Sequence, residues 1–254
     1  MARLSFPHSP NDSLDFTLTL PPNASTDTLV IYLHGFASDQ LGEKVLYLRD
    51  QFIAAGCAYL AFDHRGHGRS SGTLKELTVS RNLEDLEAVL VAEGAKFQRC
   101  ILVGSSMGGL TAAWYAARHP GRVAANLLIA PGFRFIERRI EELGAPGLSL
   151  LKRDGEIVYK NEYVCVTIGK ALFDDAPEYT IDKLFPAYRT PTLIIHGTAD
   201  ESVPFDESVE FVQYAAARPL ELLLIAGGDH RLNEYKETLF SAMREFLRRH
   251  RLLP

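Results

Sequence analysis

Ile101-Leu102-Val103-Gly104-Ser105-Ser106-Met107-Gly108-Gly109 is an apolar run that breaks into a glycine-serine turn, with helical spacing resuming at once over 109–118. Gly104 to Gly108 match G-x-S-x-G. As five letters the pattern is common; between a buried strand and a helix it acquires a mechanical meaning. A serine on so sharp a strand-to-helix turn must adopt strained dihedrals. Glycines two residues to either side leave room for the backbone to cross. The helix that follows aims backbone N–H groups and the positive end of its dipole at the turn. Ser106 is therefore the candidate nucleophile.

Outward from this turn, the same reading extends along the chain. Short, almost wholly apolar runs occur at 29–33, 58–62, 100–103, 127–130, 193–195 and 220–225. Runs of that length without polar alternation suit strands covered on both faces, as in a parallel sheet. An earlier segment, 14–20, alternates and reads as a half-exposed strand ended by Pro21-Pro22. Between the runs lie helical stripes. Val45, Leu48, Phe52 and Ile53 fall on one face of 41–55, and Leu83, Leu86, Val89 and Leu90 on one face of 83–92. Tyr235, Leu239, Met243, Phe246 and Leu247 do the same in 232–249. Strand-helix alternation of this kind predicts an α/β fold, a mostly parallel central sheet flanked by helices.

One interval breaks the rhythm. Roughly sixty residues, 132–190, separate two strand-like runs, where a connection of a few residues is usual. They carry a helical pattern (Ile136, Ile140, Leu143) and a β-like run (Ile157, Val158, Tyr159). The expectation is a single domain over 1–254 with a cap inserted at 132–190, over the catalytic edge of the sheet. A chain of 254 residues is near the upper size for one core.

Composition is that of an ordinary globular protein: 46% hydrophobic, 23% charged and a net charge of −5. Such a balance gives no reason to expect nucleic acid or strong attraction to an anionic membrane. Cys57, Cys100 and Cys165 are far apart and odd in number, so neither a disulfide framework nor a zinc site is indicated. Cys57 and Cys100 sit in apolar runs and read as small core residues. The opening residues Met1 to His8 have no apolar leader and no segment approaches a membrane span, which makes the cytosol the expected location.

A serine hydroxyl needs a base within hydrogen-bond reach. Of eight histidines, His230 lies on a loop after the last apolar run, in Gly227-Gly228-Asp229-His230-Arg231. His34 and His196 each follow a strand-like run and precede a glycine, which suits residues that steady neighbouring loops. His64 and His67 belong to a glycine-rich turn, and His8, His119 and His250 read as surface residues. His230 is the candidate base. The base needs a carboxylate to fix its tautomer. Asp200 and Glu201 both follow the 193–195 run, at the end of the sheet where Ser106 is expected; Asp229 is adjacent to His230 and badly placed to reach its Nδ1. Donors for a developing oxyanion are expected from the backbone N–H of Met107 and from that of Phe36, in His34-Gly35-Phe36 after the first buried run.

Taken together, His34-Gly35-Phe36, 62–70 (Phe-Asp-His-Arg-Gly-His-Gly-Arg-Ser), Gly104 to Gly109, His196 to Asp200 with Val203-Pro204, and Asp229-His230 resemble the α/β-hydrolase superfamily over almost the whole chain. Within it the chain resembles small esterases and thioesterases of the palmitoyl-protein thioesterase-like group and the serine aminopeptidase/monoacylglycerol lipase type. The resemblance implies Asp200 rather than Glu201 as the acid, and a structural role for Asp63 and the turn after it. It implies a serine hydrolase acting on a small-molecule acyl ester or thioester, with no cofactor and no metal. The family's peptidases and C–C bond hydrolases share the same triad and stand as the alternative. A non-catalytic, ligand-binding protein of the same fold is a second.

Substrate choice is expected to lie in the cap. Phe133, Phe135, Ile136, Leu148, Leu150, Leu151, Phe173 and Phe185 could line an acyl pocket or form the cap's own core, the core being favoured. Arg134, Arg138 and Arg139 could clamp a carboxylate or phosphate. Spacing against Glu137, Glu141 and Glu142 favours a solvated charged helix face instead.

Overall fold

The computed structural model describes residues 2–6, 9–22, 26–160 and 164–253. Its centre is an eight-stranded sheet. The strands are β1 (Ala2–Phe6), β2 (Ser9–Thr19), β3 (Thr28–Leu33), β4 (Ala58–Phe62), β5 (Arg99–Ser105), β6 (Ala125–Ile129), β9 (Thr192–Gly197) and β10 (Leu220–Ile225). They lie in the order β1-β2-β4-β3-β5-β6-β9-β10. β1 and β2 run antiparallel to their neighbours, and the six from β4 to β10 pair in parallel.

Alternation along each strand sorts side chains to two cores. Leu29, Ile31 and Leu33 of β3 face one side with Leu60, Leu102, Leu128 and Ile194. Val30 and Tyr32 face the other with Tyr59, Ile101, Val103, Leu127 and Ile195. Helices α1 (Glu43–Ala54) and α8 (Lys236–Arg249) cover this second side through Leu48, Phe52, Met243 and Phe246. Helices α2 (Val79–Ala92) and α3 (Met107–Arg118) cover the first, with Phe211 of α7 (Asp206–Tyr214). Thr78 caps α2 by accepting from the Arg81 N–H at 2.9 Å. Cys57 and Cys100 are buried, as their apolar settings imply.

Two strands depart from the sequence reading. β10 is only half-buried, with Leu224 39% exposed, because it is the sheet's edge and lacks a neighbour beyond it. β1 is a short strand that gives no apolar run to read; it forms by pairing with β2, which begins at Ser9 and not at Leu14.

The chain between β6 and β9 forms α4 (Phe135–Asp154), the antiparallel pair β7 (Glu156–Lys160) and β8 (Cys165–Gly169), α5 (Ala171–Asp175) and α6 (Ile181–Ala187). α4 is bent at Gly144, whose φ of 55° and ψ of −175° lie outside the helix, two residues before Pro146. Most buried apolar residues of this segment do not make a core of their own. Phe133, Phe135, Ile136, Leu172, Ile181, Leu184 and Phe185 join the core on the α2/α3 side of the sheet, and Phe133 stacks on Phe211 at 4.1 Å. The segment is tied to residues 73–80: Asp175 accepts from the Ser80 N–H and hydroxyl at 2.9 and 2.7 Å, and Lys75 pairs with Glu156 at 2.8 Å. No helix among the described residues is long and apolar enough to cross a membrane. His8 lies outside the described residues, as do Asn161, Glu162 and Tyr163 of the 132–190 interval.

Candidate active site

Ser106 stands at the end of β5, at φ 53° and ψ −117°, a left-handed conformation costly for any residue with a side chain. Close packing enforces it. A Cβ on Gly104 would lie 2.5 Å from the Gly108 carbonyl oxygen, and one on Gly108 would lie 2.2 Å from that of Leu33. The glycines thus let two backbone segments cross, and they serve space more than dihedral freedom. The Ser106 N–H donates to the Ile129 carbonyl at 3.0 Å, tying the turn to β6.

The structure brings Ser106, His230 and Asp200 into one hydrogen-bonded chain. His230 Nε2 is 3.1 Å from Ser106 Oγ, and His230 Nδ1 is 2.7 Å from Asp200 Oδ2. Burial by itself would raise the Asp200 carboxyl. Hydrogen bonds from His196, from His230 and from the Val203 N–H outweigh burial and hold it well below the carboxylate range. As an ionised carboxylate Asp200 only accepts, so His230 Nδ1 carries the proton and Nε2 is left to accept from the serine hydroxyl.

Asp200 is itself braced. Its Oδ1 accepts from the N–H groups of Ser202 and Val203 at 2.9 and 2.8 Å. His196 Nε2 lies 3.1 Å from Asp200 Oδ2 and 3.0 Å from the Val203 carbonyl oxygen. A carbonyl only accepts, so Nε2 is the donor and Nδ1 accepts from Ser208 Oγ at 2.7 Å. His34 plays a similar part: Nδ1 donates to the Gly35 carbonyl at 2.8 Å and Nε2 accepts the His64 N–H at 3.0 Å. Burial, then the neighbouring His67 and His64, push the His34 pKa well down and keep it neutral. Both fit the loop-steadying role read from their positions.

The competitors are placed elsewhere. Asp229 accepts from the Leu232 N–H at 2.7 Å, and Glu201 is exposed. Asp63 is engaged by the turn after it and by the loop after β3, accepting from the N–H groups of Arg69 at 2.9 Å and Gln40 at 2.8 Å. Among the described residues the N–H groups of Phe36 and Met107 find no acceptor. Gly35 brings the first of them close, since a Cβ there would sit 3.3 Å from Ser106 Cβ.

A cavity of about 420 Å³ opens onto Ser106 and His230, with Phe36, Lys44, Phe135 and Arg139 in its wall. Of the eight apolar residues expected to line a pocket or a cap core, Phe135 alone is in this wall. Lys44 went unnoticed in the sequence. It is buried on the first turn of α1, and its ammonium donates to the Arg231 carbonyl at 2.6 Å and to Ser105 Oγ at 3.4 Å. That joins the turn before the serine to the loop that carries His230. Burial lowers its pKa to about 8. Among the described residues no cluster of His, Cys, Asp or Glu could hold a metal ion.

The three arginines of α4 and its entry do not form a solvated face. Arg134 makes a two-pronged pair with Glu210 at 2.9 Å, and Arg138 pairs with Glu207 at 3.3 Å, both partners coming from α7. Arg139 is buried among aromatic rings. Spacing within one helix cannot reveal partners that another helix supplies.

Comparison with known proteins agrees with this architecture. The sequence profile of the family described as "Serine aminopeptidase, S33" matches residues 24–164, a span that contains Ser106. The chain is similar to the mitochondrial palmitoyl-protein thioesterase ABHD10 of Bos taurus, 26% identical over 210 residues, 81% of this chain and 67% of that protein. It is also similar to a monoacylglycerol lipase of Mycolicibacterium smegmatis, 26% identical over 247 residues and 86% of each chain. The structure of mouse alpha/beta hydrolase domain-containing protein 10 superposes with a TM-score of 0.83 at 22% identity, covering 98% of this chain and 99% of that one.

Proposed function

The chain belongs to the serine aminopeptidase S33 family of α/β-hydrolases, and we propose that it cleaves carboxylic esters or thioesters of a small-molecule substrate through an acyl-enzyme on Ser106. The observation that carries this reading is the Ser106–His230–Asp200 chain of hydrogen bonds at 3.1 and 2.7 Å, opening on a cavity. Ser106 Oγ attacks the acyl carbon while His230 Nε2 takes its proton. The N–H groups of Phe36 and Met107 hold the oxyanion, and the imidazolium, steadied by Asp200, protonates the leaving alcohol or thiol. His230 then draws a proton from a water whose oxygen attacks the acyl carbon, and returns that proton to Ser106 Oγ as the acid is released. Residues 132–190 act as a cap that shapes the acyl site.

Relatives whose names specify a thioesterase and a lipase support ester and thioester bonds over amides. The family's own name keeps an aminopeptidase as the second reading. Wild-type protein is expected to hydrolyse short p-nitrophenyl esters and to take a fluorophosphonate label. Ser106→Ala loses both, with a fall in kcat of about 10⁴-fold or more and an unchanged melting curve. Ester turnover persisting in that variant overturns the assignment. Rapid cleavage of aminoacyl p-nitroanilides with negligible ester turnover turns it to the peptidase.

A further inference from the structure

Arg139 is 8% exposed and stands in the wall of the Ser106 cavity. Its guanidinium lies over three rings, 4.4 Å from the centre of Phe135, 4.7 Å from Tyr159 and 5.7 Å from Phe36. Among the described residues it donates no hydrogen bond, and its Nε is buried without a partner. Among the described residues the nearest carboxylate is that of Glu142 at 3.9 Å, on a side chain 49% exposed, too distant and too wet to satisfy it. Burial depresses its pKa, the mark of a charge short of compensation. Arg134 and Arg138, in contrast, both have glutamate ion-pair partners from α7, although Nε and Nη1 of Arg138 are buried without a hydrogen bond among the described residues.

A guanidinium offers five donors in a rigid fork that matches carboxylate or phosphate oxygens. Ring faces repay part of the desolvation of the cation but accept none of its hydrogen bonds edge-on. One of these rings belongs to Phe36, whose backbone faces the reacting oxygen in the reading above, so the fork and the nucleophile serve the same cavity.

We propose that Arg139 is the anion-binding residue of this cavity, and that the substrate carries a carboxylate or phosphate group remote from the bond that Ser106 cleaves. The inference rests on the hydrolase reading and narrows its substrate class. A neutral acyl chain leaves the guanidinium unpaired; an anionic one completes it at the moment the acyl carbon meets Ser106.

The test compares three esters on wild type and on Arg139→Met: p-nitrophenyl hexanoate, the mono-p-nitrophenyl ester of adipic acid, and the hexanoyl ester of 5-hydroxy-2-nitrobenzoate. The last two place a carboxylate on the acyl and leaving sides. Wild type is expected to favour one of these over the neutral ester in kcat/KM, and Arg139→Met to reduce that preference about 30-fold. Arg139→Lys should restore part of it, and the side affected locates the fork. Equal losses on all three esters in Arg139→Met overturn the inference while leaving the hydrolase reading intact. Absence of turnover and of fluorophosphonate labelling in wild type overturns the hydrolase reading itself.

Should Arg139→Met not fold, wild type alone decides. Competitive inhibition of hexanoate hydrolysis by adipate or hexyl phosphate at about a tenth of the concentration needed of hexanol supports the proposal, and the stronger inhibitor names the anion. Equal inhibition by all three overturns it.

Discussion

Around Ser106 the backbone has no slack, whereas at the end of α4 it has a good deal. A Cβ on Gly108 would press within 2.2 Å of the Leu33 carbonyl oxygen; one on Gly155, which ends α4, would meet nothing within 4 Å. Individual polar groups show a similar contrast. At the sheet end, Asp200, His196 and His34 each have their atoms committed to partners at ordinary distances. In the segment, Arg139 is buried with no hydrogen bond among the described residues, and β7 is largely exposed. The contrast fits a division of labour in which the reacting groups are fixed in advance and the segment holds what a substrate must complete.

The comparison breaks first at the glycines. Gly108→Ala should cost about 3 kcal/mol or more, since the crossing strands must part. Gly155→Ala should cost about 1–2 kcal/mol, the price of a side chain at φ 76° in open space. Urea unfolding of the two variants measures both, and equal losses would erase the distinction.

Lys44 sharpens it. In the unfolded chain its pKa returns to about 10.4, whereas burial holds it near 8 in the fold. Between those values the unfolded chain binds the extra proton, so folding becomes more favourable as pH rises; below pH 8 the penalty is fully present. The stability of wild type relative to Lys44→Met should therefore climb between pH 8 and 10, by on the order of 2 kcal/mol. Parallel stabilities across that range would mean that the site side is less tightly closed than its hydrogen bonds imply.

The smallest effect is chemical and carries no change in stability. Burial pushes the thiols of Cys57 and Cys100 up to about 11, while Cys165 of β8 is exposed. A disulfide reagent at pH 8 should label Cys165 in the native protein and reach the other two only in denaturant, as peptide mapping would show. Rapid labelling of Cys100 would place looseness in the sheet and not in the segment.

Much of this was legible beforehand because burial on both faces leaves a strong mark. The runs at 29–33, 58–62 and 193–195 read as interior strands, and β3, β4 and β9 enclose them. Ser106, Asp200 and His230 could be proposed because each ends a strand or sits on the loop beyond one, so topology sends them to one end of the sheet, although the family resemblance and not topology separated Asp200 from Glu201. β1 was not legible, because a short strand takes its structure from its partner. Lys44 and Arg139 were hidden for a related reason. What makes them notable comes from residues far off in the chain: a carbonyl at 231, a hydroxyl at 105, and rings at 36, 135 and 159. Local charge spacing described the α4 arginines by their sequence neighbours, while α7 claimed two of them.

That last helix has a practical bearing. Neighbouring residues of α7 hold opposite parties. Glu207 accepts the Arg134 N–H and pairs with Arg138, while Ser208 donates to His196, which in turn supports Asp200. A chimera that transplants another relative's 132–190 segment onto this scaffold must bring the matching residues of α7 with it. Left behind, the helix would meet a foreign partner on one side and transmit the misfit to the acid on the other. The natural seam for recombination therefore runs beyond residue 210, well past the point where the 132–190 segment returns to the sheet.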